Sequence, residues 1–239
     1  VDRNTGLIAS AMSFEQSENA GVGVEQAPLA MPAAPASPAA AGAAGPRVRL
    51  ATVADAAGVL AVYAPYIEDT VITFETTVPS LPAFTVRMED IIGDYPYLVV
   101  EEAGVILGYA YAHRIGERAA FAWNAEVSIY FAPACTGRGW GSVLLRALLD
   151  LLALQGVRTA YSLITVPNEA SLRLHEKRGF TAMGTQTCAG FKHGAWHDVA
   201  WLHKPLGSFE GTPAPVTPFA QLETVAVAEI LAQAQAALG

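Results

Sequence analysis

The sequence predicts an α/β domain, a sheet of mixed strand directions covered by helices. Three observations carry that prediction. Short apolar runs of strand length alternate with longer runs of helical pattern. Two of the short runs, Tyr97 to Glu102 and Val105 to His113, are joined by Ala103-Gly104 and read as an antiparallel hairpin. A glycine-rich segment, Thr136-Gly-Arg-Gly-Trp-Gly-Ser142, separates a strand-like run from a strongly apolar helical one. Of the 239 residues, 52% are hydrophobic and 15% charged, ample for a packed core and unlike a wholly disordered chain.

In chain order, Arg47 to Ala51 reads as a short strand. Thr52 with Asp55 resembles a capping box that opens a helix running toward Tyr66. After the hairpin, Phe121 to Phe131 is a strand. Its alternation puts Ala125, Val127 and Ile129 on one face and Glu126, Ser128 and Tyr130 on the other. The apolar helix runs from about Gly139 to Gln155, and Thr159 to Val166 is a further strand. Glu169 to Arg178 is a short helix closed by Gly179, and Phe191 and Trp196 to Leu202 mark late strands. Trp123, Trp196 and Trp201 are expected in the core.

The flanks differ in composition. Residues 1–46, Ala/Pro-rich from Ala27, read as a disordered extension. Residues 47–206 form the folded domain. Residues 207–239 are a turn-rich linker followed by a helix, with Pro218 suited to its first turn and an apolar stripe of Phe219, Leu222, Val225 and Ile230.

A formal net charge of −8 speaks against nucleic acid as a partner. Cys135 and Cys188 offer neither a disulfide framework nor zinc-ligand spacing, so no metal is expected and a reducing compartment fits. The apolar run Val143 to Leu154 is interrupted by Arg146 and Asp150 and is too short to span a bilayer. The first residues lack a basic region followed by an apolar one. The expectation is a cytoplasmic protein without membrane attachment.

Glycines at 137, 139 and 141 let the backbone turn sharply and approach a ligand closely. The helix that follows starts with orphan N–H groups, and its dipole favours an anion there. Thr136 to Ser142 can therefore cradle a phosphate or pyrophosphate, with Arg138 as a further charge partner. The spacing matches neither the Walker A nor the dinucleotide fingerprint, and a plain strand-to-helix turn also explains it.

A longer series of elements is more specific. Tyr63-Ala-Pro-Tyr-Ile, Val71-Ile-Thr-Phe-Glu, Tyr95-Pro-Tyr-Leu-Val and Gly108-Tyr-Ala-Tyr-Ala precede Trp123-Asn-Ala-Glu126 and Ser128-Ile-Tyr. After the glycine loop come Pro167-Asn168, Ser171, Leu174-His175-Glu176, Gly179-Phe180 and Gly190-Phe-Lys-His-Gly-Ala-Trp-His-Asp198. In this order they resemble the phosphinothricin acetyltransferase-like family of the GNAT superfamily, over Arg47 to Leu206. The resemblance implies a GNAT fold, a mostly antiparallel mixed sheet flanked by helices, with acetyl-CoA as donor and a homodimeric assembly. It implies that the backbone of Ile129, Tyr130 and Phe131 binds the pantetheine arm between splayed strands. Thr136, Gly137, Arg138, Gly139, Trp140, Gly141 and Ser142 would then cradle the pyrophosphate, and Asn168 would help hold the cofactor.

N-acetylation needs a neutral amine. An amine of pKa near 10 is only about 0.1% neutral at pH 7, a penalty of about 4 kcal/mol unless a base helps. The resemblance makes Glu126 that base. It makes His175 catalytic too, as an acid for the departing thiolate or as part of the base system, and the residues leave both open. Backbone N–H groups near Ile129 would stabilise the tetrahedral intermediate. Phe74, Arg118, Phe121 and Ser128 match the acceptor pocket, where Arg118 suits a carboxylate or phosphinate.

This chain departs from the family pattern at several points. Thr136 replaces an Arg or Gln, Phe121 a tyrosine, Gly116 a lysine found in some members, and Ala64 an asparagine. Val127 stands where an acidic or small polar residue is typical. The implied acceptor is a small amino-acid-like amine of the phosphinothricin, methionine sulfoximine or methionine sulfone type. The alternatives are another amine, such as a polyamine or peptide N-terminus, and a catalytically weak acetyl-CoA-binding module. His197-Asp198 is expected to be structural.

Overall fold

The computed structural model describes residues 45–239. Residues 1–44, which hold nearly all of the expected disordered extension, lie outside the described residues. The elements are β1 (Arg47–Leu50), α1 (Ala56–Asp69), α2 (Leu81–Ile92), β2 (Tyr97–Glu102), β3 (Val105–Arg114) and β4 (Asn124–Phe131). Then follow α3 (Trp140–Gln155), β5 (Thr159–Val166), α4 (Glu169–Lys177), β6 (Thr181–Lys192), β7 (Ala195–Pro205) and α5 (Thr224–Leu238). The sheet runs β1-β2-β3-β4-β5-β7-β6. Every neighbouring pair is antiparallel except β4–β5. This is the mixed, helix-flanked α/β sheet that the sequence predicts.

Local chemistry sets the element ends. The Asp55 carboxylate accepts the Thr52 N–H at 2.7 Å, as a capping box requires, and takes both guanidinium NH groups of Arg49 at 2.7 Å. Arg49 also holds Glu101 of β2 at 2.6 Å, so β1 and the start of α1 are tied together. These bonds to Arg49 hold the Asp55 carboxyl down at about 2. The sequence reading passed over α2, although its signals are present. Ser80 accepts the Ala83 N–H, Pro82 sits in the first turn, and Phe84 and Met88 are buried one turn apart.

Alternation along the strands divides the core into two layers. On the α3 face, Leu98, Val100, Ala110, Ala112, Ala125 and Val127 pack on Leu144, Leu145, Leu148, Leu151 and Leu152. On the α1–α2 face, Val99, Tyr97, Tyr109 and Ile106 pack on Val59, Tyr63, Ile67, Phe84 and Met88. β3 crosses β4 at Gly108, where any side chain would overlap the Phe131 ring.

Several expectations need correction. β4 starts at Asn124, because Ala119–Phe121 forms a 3₁₀ turn. β6 is a full strand of twelve residues of which only Phe191 stood out in sequence, since its exposed, small and polar residues show no apolar alternation. Trp196 is not a core residue; it is 62% exposed on β7. Pro218 precedes a separate 3₁₀ turn, and the last helix begins only at Thr224. Its buried face is Val227, Ala234 and Leu238, while Val225 points outward. That helix packs on α3 and β1. There the Gln235 amide accepts the Val48 N–H at 2.8 Å and donates to the Pro46 carbonyl at 3.0 Å, covering part of the edge strand as a peptide group would.

Candidate active site

The parallel pair β4–β5 is joined only over Asn124–Glu126 and Thr159–Tyr161. From Val127 and Ser162 onward the two strands part, β4 staying with β3 and β5 with β7. In an antiparallel ladder, residues alternate between pointing their N–H and C=O at one neighbour and at the other. Ala132 donates to the Leu107 carbonyl at 2.8 Å, which puts the peptide groups of Tyr130, Ser128 and Glu126 toward β3. Those of Ile129 and Phe131 therefore face the gap. The Phe131 carbonyl accepts the Tyr66 hydroxyl at 2.5 Å, and the Ile129 groups remain on the open side.

The mouth of the gap is the glycine loop. Gly137 and Gly139 have φ of +78° and +82°, which L side chains adopt only under strain. Gly139 is the N-cap of α3, so no side chain caps this helix, whereas Ser80 and Asn168 cap α2 and α4. The first-turn amides of α3 thus stay available to an anion. A Cβ at Gly141 would lie within 3.6–3.8 Å of Leu174, Ile129 and Phe131, so α3, α4 and the free length of β4 converge there. Thr136 donates to the Pro133 carbonyl at 2.9 Å, Arg138 lies 4.8 Å over the Trp140 ring, and Trp140 itself is buried. These side chains shape the loop, and its backbone faces outward. The Asn168 Oδ1 accepts the Ser171 N–H at 3.1 Å at the start of α4.

At the paired end of the gap, Glu126 lies opposite His113 of β3 and Tyr161 of β5. Its carboxylate is 3.8 Å from the His113 Nε2. Burial pushes the Glu126 carboxyl above its ordinary value, with the His113 charge pulling the other way. Beside it runs a tyrosine layer. Tyr97 stacks on Tyr111 at 5.0 Å, Tyr109 on Tyr130 at 5.4 Å, and Tyr63 and Tyr66 meet Tyr130 edge-on. Burial pushes Tyr111 up to about 12, and the Ser128 hydroxyl opposite restrains the rise.

His175 lies on α4, buried, with its ring edge-on to Phe180. A carbonyl only accepts, so the Nδ1 at 2.9 Å from the Ser171 carbonyl carries the proton. Nε2 is then a lone pair shut away from solvent, without a partner among the described residues. Burial lowers the pKa of this ring, so it is held neutral. No hydrogen bond or ion pair joins it to Glu126 among the described residues.

The segment after α1 spans the gap from one half of the sheet to the other. Glu75 accepts from the Tyr63 hydroxyl and from Arg87 at 2.6 Å, while Lys192 of β6 donates to the Thr73 carbonyl at 2.8 Å. Thr165 of β5 donates to the Ile72 carbonyl. Phe74 thus rests on Gly190, where a side chain would collide with its ring, and near His197. Arg118 is exposed on the loop into β4 and forms no ion pair among the described residues, and Phe121 packs on Gly116 of that loop.

His197 and Asp198 form no dyad. Nε2 of His197 donates to the Lys192 carbonyl, and Asp198 accepts the Cys188 N–H at 2.8 Å. Sequence reasoning missed His113, Glu75 and Lys192. The period-two series Tyr109, Tyr111, His113 on the hairpin was the available signal for the first.

The two strands thus part beside an uncapped, glycine-led helix, leaving open peptide groups and an anion-ready helix start along one opening. The chain belongs to the acetyltransferase (GNAT) domain family, whose model matches residues 48–201. It is 37% identical over 175 residues to a phosphinothricin N-acetyltransferase of Streptomyces viridochromogenes, covering 73% of this chain and 95% of that protein. It is 31% identical over 171 residues to an L-methionine sulfoximine/L-methionine sulfone acetyltransferase of Pseudomonas aeruginosa, covering 70% of this chain and 98% of that one. Among solved structures, a GNAT superfamily phosphinothricin acetyltransferase from Sinorhizobium meliloti in complex with acetyl-CoA superposes with a TM-score of 0.69. It is 34% identical, covering 74% of this chain and 97% of that chain. The protein is an acetyl-CoA-dependent N-acetyltransferase.

Proposed function

We propose that this enzyme acetylates the amine of a small, anionic amino-acid-like acceptor, of the phosphinothricin or methionine sulfone and sulfoximine type. The observation that carries the reading is the mostly enclosed Glu126 at the paired end of the β4–β5 gap, on the strand whose Ile129 peptide groups face that gap. The names of the relatives support the acceptor class. Glu126 takes the proton of the bound ammonium, and the Ile129 N–H holds the developing oxyanion. The site fits a CoA thioester: the Gly141 cradle and uncapped α3 would hold its pyrophosphate, and the gap-facing backbone of Ile129 and Phe131, with Asn168, its arm, whereas Tyr130, expected there too, turns its peptide groups to β3. When bound, that molecule supplies the acetyl group. His175 serves as a neutral hydrogen-bond acceptor, because its one N–H is spent on Ser171. Phe74, Phe121 and Ser128 line the acceptor side, and Arg118 pairs with the acceptor anion.

The test is thiol release from acetyl-CoA against phosphinothricin, methionine sulfone, methionine sulfoximine, ordinary amino acids and spermidine. Turnover is expected with an amino-acid analogue, and Arg118→Ala should erase the preference over carboxylate-free amines. Turnover confined to spermidine would overturn the acceptor assignment. We further assign a homodimer, supported by the exposed Met183, Phe191 and Trp196 on β6 and β7, and a cytoplasmic location, supported by two free thiols. Trp196→Glu should shift the mass measured by light scattering to that of a monomer.

A further inference from the structure

Amide formation from an ammonium and a thioester releases one proton per turnover to the solvent. The amine nitrogen sheds two protons in all, of which the departing thiolate keeps one. The other begins on Glu126, whose carboxylate is mostly enclosed, with 18% of its side chain exposed. A base in that position needs a way to return its proton to water before the next cycle.

We propose that His113 is that way out, a positioning and proton-exit residue for Glu126. The inference rests on the reading of Glu126 as the base. His113 is the direct register partner of Glu126 across β3–β4. Its Nδ1 lies 3.0 Å from the Arg114 carbonyl, which can only accept, so Nδ1 carries the proton of the neutral ring. Nε2 therefore presents a lone pair toward the Glu126 carboxylate at 3.8 Å, about 1 Å beyond a hydrogen bond. The ring stacks on Tyr111 at 5.7 Å, which fixes its plane, and 34% of its side chain is exposed.

The proton steps balance as follows. Glu126 carboxylate takes a proton from the ammonium and becomes the acid. Glu126 passes it to the His113 Nε2, restoring the carboxylate and forming imidazolium. The imidazolium gives it to water or buffer and returns to the starting tautomer. Around this pair stand Tyr111 and Arg114 of β3, Tyr130 of β4 and Tyr161 of β5, with Glu75 and Arg87 beyond the tyrosines. The tyrosines resist ionisation through burial, so none of them competes for the proton near neutral pH.

The experiment compares the wild-type enzyme with His113→Phe, which keeps the stacking, and His113→Gln, which keeps polarity. Both are assayed by thiol release at several buffer concentrations, with and without added imidazole. A loss of about tenfold or more in kcat is expected at low buffer. Added imidazole should recover it in both variants, while the KM for acetyl-CoA stays put. Unchanged kcat at low buffer, or a loss that no buffer base recovers, would overturn the proposal. Glu126→Gln distinguishes the two readings. If it is strongly impaired while both His113 variants are not, Glu126 remains the base and the exit route is wrong. If it is itself unimpaired across pH, the base assignment fails and takes the exit with it.

Discussion

The two layers packed on this sheet are made by alternate residues of the same strands, yet their chemistry differs. Toward α3 the strands present Leu98, Val100, Ala110, Ala112 and Val127, which meet a leucine face in a mainly aliphatic layer that Phe131, Trp140 and Phe180 complete. Toward α1 and α2 they present Tyr97, Tyr109, Tyr111 and Tyr130, a layer that ends at His113 and Glu126. β4 serves both. Its residues 125 and 127 anchor it in the aliphatic layer, and 126, 128 and 130 carry polar groups into the other. One layer resists deformation because close-packed apolar side chains have no low-cost alternative. The other leaves the Glu126 carboxylate half-buried, with the His113 ring across from it.

Substitutions should separate the two. Glu126→Gln is expected to lower kcat/KM by about 10²–10⁴ without loss of fold. Burial raises the Glu126 carboxyl in the native state, so the folded protein holds its proton to higher pH than the unfolded chain. Wild-type stability from this group is thus fully present below its ordinary value of 4.5 and falls as pH rises toward the raised value. The Gln variant should unfold at higher urea than wild type at pH 8, and that advantage should shrink on acidification below 4.5. The activity of the wild type should fall on its acid side with a midpoint above 4.5, and a midpoint at or below it would break the account of burial.

Leu148→Ala, on the aliphatic side, is expected to lose about 2–5 kcal/mol of stability in urea titration. The molecules that remain folded should keep their kcat. Tyr66→Phe, on the tyrosine side, removes only the hydrogen bond to the Phe131 carbonyl and should lose about 1 kcal/mol. A loss from Tyr66→Phe as large as that from Leu148→Ala would erase the distinction between the layers.

Much of the site was legible before the structure. The faces of β4, the uncapped glycine loop and the short helix carrying His175 follow from alternation, glycine spacing and the Gly179 stop, all of them local. The resemblance then placed Glu126 and the donor loop. Less legible were α2, whose Ser80 and Pro82 signals went unread, and β6, whose exposed sequence carries no alternation. The tautomer of His175, which favours an acceptor over a proton donor, depends on a carbonyl one turn back that sequence shows only once the helix is known.

The sequence by itself determined the class of fold, the order of its elements and the residue types at the gap, because periodicity and turn chemistry act over a few neighbouring residues. Only the tertiary structure decided that β4 and β5 part after Glu126, that Lys192 reaches back to Thr73, and that His113 stands across from Glu126. Those facts join residues distant in the chain. They follow from strand register and the packing of whole layers, which no short stretch of sequence contains.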